Sequence, residues 1–154
     1  MRDWINLKYG TNFTEDDLKS VKDFTLMWNI FDSVTCSTHF SIVRFEQVLI
    51  NQNYDINRFL PFINYFKERY VVNNEFNNRF QHLNFRNNDR KDLVKEVLLG
   101  NNVNEKEIIL ALIIIIYRFR NNLFHGVKNI QVIDEQRINF ENANEILKII
   151  MENF

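Results

Sequence analysis

Apolar residues recur along this chain at helical spacing. Leu18, Val21, Phe24, Trp28, Phe31 and Val34 stand three or four apart, the pattern of one buried helix face. Ahead of them, Thr14-Glu15-Asp16-Asp17 supplies an N-cap and acids for the positive end of a helix dipole. The spacing predicts a helix over 15–36. A shorter helix is expected within 38–52, where Phe40, Val43, Val48 and Leu49 continue the stripe. Asp55 opens a further segment over 59–71, in which Pro61 sits too deep for a comfortable first turn. A kink or a later helix start is expected there. Phe76, Phe80 and Leu83 make a sparse helical stripe, and Leu93, Val94, Val97 and Leu98 a denser one closed by Gly100.

The stretch after Gly100 carries most information. Asn104-Glu105-Lys106-Glu107 reads as a capped helix start. The Ile-rich run behind it is ambiguous by periodicity, because short β-branched runs also suit buried strands. Length decides: the pattern continues from Glu105 to Phe124, about 30 Å as a helix, and Gly126 offers a stop. A helix apolar on all sides in its first half is enclosed by neighbours. Residues 127–140 are less regular, with Ile130-Gln131-Val132-Ile133 reading as extended, and a last helix is expected from about 142 to the end. The expected architecture is a single all-α domain over 1–154, a bundle around a buried central helix at 104–125.

Composition supports that reading. Only 3 Gly and 1 Pro occur in 154 residues, which excludes turn-dense all-β chains. The 24 Asn fall mostly between periodic segments, where they act as caps and turns. The single cysteine, Cys36, cannot form an internal disulfide, and no Cys/His spacing suggests structural zinc. A reducing, cytoplasmic setting is expected. The opening residues are polar and mixed in charge, unlike a secretory signal. The most apolar run, 108–117, is ten residues long, about half of a membrane span. The net charge is −1, so any nucleic-acid partner would have to be recognised locally.

Chemistry concentrates at the end of the central helix, in Ile116-Tyr117-Arg118-Phe119-Arg120-Asn121-Asn122-Leu123-Phe124-His125-Gly126. Asn121 and His125 are four apart and share a helical face, within reach of the long Arg120 side chain. An imidazole beside a guanidinium is a minimal kit for phosphodiester transesterification. His125 would move a proton to or from the ribose 2′-OH or the leaving 5′-oxygen. Arg120 would hold the phosphate, and Asn121 would orient the His or the phosphate. This chemistry needs no metal or other cofactor.

Arg120-Asn121-Asn122-Leu123-Phe124-His125, on a late long helix, resembles the HEPN superfamily of all-α domains, whose signature is Arg-x(4–6)-His. The Leu-Phe-His-Gly ending is similar to a common prokaryotic variant. Leu26-Met27-Trp28-Asn29-Ile30-Phe31-Asp32 resembles the family's early helix, with Asp32 at its acidic position. The specific motif covers about eleven residues. The resemblance implies a metal-independent endoribonuclease that cuts single-stranded RNA to a 2′,3′-cyclic phosphate. It further implies a homodimer with the two motifs facing across the interface, and a toxin or antiphage effector with a possible cognate antitoxin. The alternative is a non-catalytic HEPN dimer that regulates a nucleotidyltransferase-like partner.

Arg118, Asn122, Lys128 and Asp32 are further candidates for substrate contact. For Arg118 a cation favoured by the helix dipole is the stronger reading, and His125 could be a C-capping histidine. His39 and His82 stand alone. The 79–95 stretch is the most basic, with Arg79, His82, Arg86, Arg90, Lys91 and Lys95. Such a run is usually a solvated face; here it could line an RNA groove, with Phe80 and Phe85 available for stacking.

Overall fold

The computed structural model describes residues 1–125 and 134–154. Among them are eight α-helices: α1 (Arg2–Tyr9), α2 (Glu15–Cys36), α3 (Ile42–Ile50), α4 (Leu60–Tyr70), α5 (Asn78–Gln81), α6 (Lys91–Leu99), α7 (Glu105–Phe124) and α8 (Arg137–Met151). Two short 3-10 turns (Ile56–Arg58 and Asp134–Gln136) and a hairpin of β1 (Val71–Val72) and β2 (Glu75–Phe76) complete it. The expected Gly126 stop, Lys128 and the extended segment 130–133 lie outside the described residues.

Local chemistry sets the helix ends. At α2, the Thr14 hydroxyl accepts from the Asp17 N–H at 3.2 Å while the Asp17 carboxylate accepts from the Thr14 N–H at 2.8 Å, a reciprocal capping box. Asn104 caps α7 by accepting from the Glu107 N–H at 3.1 Å, and Gly100 ends α6 with φ 79°, the left-handed conformation that favours glycine. Thr14→Ala is expected to lower stability by about 1 kcal/mol, measured as a shift in the urea midpoint. The Thr14 backbone and side-chain hydrogen bonds hold the Asp17 carboxyl below its ordinary value. Its contribution is therefore complete above the usual carboxylate range and is lost as pH falls through the lowered value.

The segment around Pro61 resolves into a 3-10 turn followed by a late helix start, with Pro61 in the first turn of α4, where a missing N–H costs nothing. The helical stripe expected from Phe76 to Leu83 is corrected. Asn73 and Asn74 adopt φ 52° and 60° and turn the chain into an antiparallel hairpin, Val71 opposite Phe76 and Val72 opposite Glu75. Asn tolerates this left-handed conformation, and two such residues in succession form the tight hairpin turn. Only the four-residue α5 remains helical in that stripe. Helix α1, which has no buried residue, lacks an apolar stripe to announce it. Asn6 ties it down by donating to the Phe13 carbonyl at 3.0 Å and accepting from the Phe13 N–H at 2.9 Å.

Every residue of α7 from Ile108 to Ile116 is buried, so α7 is the central helix. It is packed by α3, α4, α6 and α8, while α2 and α8 lie along each other. Two aromatic groups fill the space around its second half. Phe24 stacks on Phe140 at 4.9 Å, and Phe140 meets Phe119. Trp28 stacks on Tyr117, which Phe40 also touches. Among the described residues no helix is long and apolar enough to cross a membrane.

Candidate functional site

The last two turns of α7 sort their polar side chains to different sides. Arg118 is 3% exposed and points into the protein. Its Nε donates to the Leu83 carbonyl at 3.0 Å, and its Nη1 lies 2.9 Å from an Asp89 carboxylate oxygen, though not squarely aimed at it. Burial pushes the Arg118 guanidinium below its ordinary value, and the Asp89 charge offsets part of that. One turn on, Asn122 donates to the His82 and Leu83 carbonyls, each at 3.1 Å. Residues two and six before the helix end thus clamp the turn after α5. Arg118 and Asn122 are thus both buried, with hydrogen bonds to main-chain carbonyls of that turn.

Arg120 turns the other way. Two residues along an α-helix rotate a side chain by about 200°, so Arg120 cannot share the Arg118 environment. Its Nη1 donates to the Asn121 Oδ1 at 3.0 Å, and its guanidinium carbon lies 5.1 Å from the centre of the Phe124 ring. The carboxamide of Asn121 therefore holds the arginine. Asn121 is buried, and among the described residues neither its Nδ2 nor the enclosed Nε of Arg120 has a hydrogen-bond partner. His125 follows as the C-cap residue, exposed, its N–H bonded to the Asn121 carbonyl at 2.9 Å. Among the described residues the imidazole makes no hydrogen bond or ion pair.

Electrostatically, the pairing pattern separates the arginines. Among the described residues, carboxylates lie within 4.0 Å of Arg2, Arg58, Arg90, Arg118 and Arg137. No such partner is found for Arg44, Arg69, Arg79, Arg86 or Arg120. Three of these five, Arg69, Arg79 and Arg120, stand around the C-terminal half of α7, since Arg69 and Arg79 line a cavity walled by Phe119. Arg69 carries no sequence signal, because its neighbours in the cavity come from segments far away in the chain.

The remaining sequence candidates fall elsewhere. Asp32 makes no ion pair or hydrogen bond with the motif, and its enclosed Oδ1 has no partner. Trp28, one turn earlier, is the α2 residue that reaches Tyr117. Phe80 is not available for stacking: it is buried, and Tyr70, Phe76 and Phe85 surround it. Lys91 and Lys95 lie over Phe80 and Phe76, and Arg90 pairs with Glu46. The basic stretch is therefore folded into three pieces rather than one RNA-lining face. The Nδ1 of His39 lies 2.7 Å from the Ser37 carbonyl, in the turn after α2. Among the described residues no group of His, Cys, Asp and Glu could hold a metal ion. In comparisons with known proteins, the chain matches no family model, no curated protein and no solved structure.

Proposed function

We propose that this chain is a HEPN-type, metal-independent endoribonuclease that cuts single-stranded RNA, works as a homodimer, and serves as a toxin or antiphage effector. The observation that carries the reading is the presence on the last two turns of one helix of Arg120, which has no carboxylate partner among the described residues, and an exposed His125. In the reaction His125 accepts the proton of a ribose 2′-OH, or donates one to the leaving 5′-oxygen. The 2′-oxygen bonds to phosphorus as the P–O5′ bond breaks, giving a 2′,3′-cyclic phosphate and a 5′-hydroxyl. Arg120, steadied by Asn121 and Phe124, meets the charge that develops on the phosphate oxygens. DNA, lacking the 2′-OH, is not cut. Phe124 is 53% exposed beside the motif, which suits an apolar contact with the facing protomer.

Purified protein incubated with single-stranded RNA in EDTA is expected to leave 2′,3′-cyclic phosphate ends. Sedimentation is expected to show a dimer. No cleavage of any RNA, together with no growth defect on expression, would sink the nuclease in favour of a binding module for a nucleotidyltransferase-like partner.

A further inference from the structure

Phe119 turns about 100° round α7 from Arg120 and walls a partly enclosed cavity of about 230 Å³. Arg69 and Tyr70 of α4, Arg79 of α5, His82 of the following turn and Glu135 also line it. Among the described residues two guanidinium groups and an imidazole thus line the cavity with one carboxylate, which belongs to an exposed residue. Neither arginine has a carboxylate within 4.0 Å among the described residues, and Arg69 meets the neutral Tyr65 and Tyr70 hydroxyls instead. The Nε of Arg69 is enclosed and has no hydrogen-bond partner, a donor that an incoming oxyanion would satisfy.

The cavity is also firmly built. Tyr70 is 1% exposed, and the Arg69 guanidinium lies 5.9 Å from the centre of its ring. Burial pushes the Tyr70 hydroxyl well up, so it stays neutral and keeps its proton to donate. The backbone at His82 is fixed from behind by Asn122. Paired guanidinium forks with a hydroxyl donor match the oxygens of a phosphate.

We infer that this cavity is a phosphate-binding pocket and, resting on the nuclease reading above, that it takes a phosphate of the RNA strand other than the one cut. The two sites share α7, so a strand cut at Arg120 and His125 is held a short way along by Arg69 and Arg79. Glu135 at the rim weakens the grip.

The test uses the full chain and a 2′-O-methyl oligonucleotide, which binds but cannot be cut, with inorganic phosphate as a separate probe. Arg79 is exposed, so Arg79→Ala keeps the fold; Arg69→Gln is the second variant, checked by its thermal midpoint. Each is expected to weaken oligonucleotide binding about tenfold and to flatten the dependence of log affinity on log salt by about 0.7 per lost contact. Glu135→Gln is expected to tighten binding a few-fold. Arg44→Ala, at an exposed arginine of α3 that does not line the cavity, is expected to bind as wild type does. Unchanged affinity and salt slope in both arginine variants would overturn the pocket, even if the wild type cuts RNA. Loss of phosphate binding with oligonucleotide binding intact would overturn its assignment to the strand. If the wild type cuts no RNA but binding of either probe still depends on Arg69 and Arg79, the nuclease reading falls and the phosphate pocket stands.

Discussion

His125→Ala is expected to slow RNA cleavage by about 10²–10⁴-fold, the usual worth of a positioned general acid or base, while leaving the thermal midpoint where it was. The separation follows from the local geometry. His125 is exposed and the bond it gives the helix is its backbone N–H to the Asn121 carbonyl, which alanine retains. A surface change of this kind stays within about 0.5 kcal/mol. Arg120→Ala is expected to cost cleavage about 10²–10³-fold, as for other donors to a developing oxyanion. Its stability cost is about 1 kcal/mol, from the lost contact with the Phe124 ring. Arg120→Lys keeps the charge but not the fork that bonds Asn121, so it is expected to recover only part of the rate. Rates from single-turnover cleavage and midpoints from thermal melts check these figures. Loss of folding in either alanine variant would overturn the placement of these side chains at the C-terminal end of α7.

The opposite behaviour is expected two residues away. Asp89→Ala leaves the Arg118 guanidinium buried with no counter-charge, and breaking a buried pair from one side costs about 3–5 kcal/mol. For a chain of this length that corresponds to a midpoint lowered by roughly 6–20 °C. Removing both charges, as Arg118→Met with Asp89→Leu, is expected to restore most of the stability, because the burial cost of the ions disappears with them. Asn122 still donates to the Leu83 carbonyl in the double variant, so that acceptor is not orphaned. A double variant as unstable as Asp89→Ala would show that the clamp acts through shape instead of charge. Cleavage measured well below the midpoint is expected to persist in the double variant, since Arg118 faces away from the proposed site.

Much of the architecture was legible because it is written in short-range chemistry. The capping box at Thr14, the Asn104 cap and the left-handed Gly100 mark helix ends within a few residues of themselves. The apolar run of α7 suited a buried strand as well, and its length from Glu105 to Phe124 made it a helix surrounded by others. Reading failed where two local preferences competed. Asn73-Asn74 could punctuate helices or turn a hairpin, and pairing of Val71 with Phe76 decided it. It also failed at α1, whose outward-facing Trp4 and Leu7 give no stripe.

At the site the division is sharper. The sequence by itself singled out Arg120, Asn121 and His125, since their mutual spacing on one helix is fixed by the helical repeat. It read Arg118 as a cation favoured by the helix dipole and gave no sign that the side chain is buried. The contrasting environments of Arg118 and Arg120 depend on Leu83 and Asp89, which reach α7 from 35 and 29 positions earlier in the chain. The cavity is likewise a tertiary product, bringing Arg69, Arg79, His82 and Phe119 together from separate elements. Spacing along one helix is local geometry that a sequence carries; which cation is neutralised and which stays open is set by packing between distant segments.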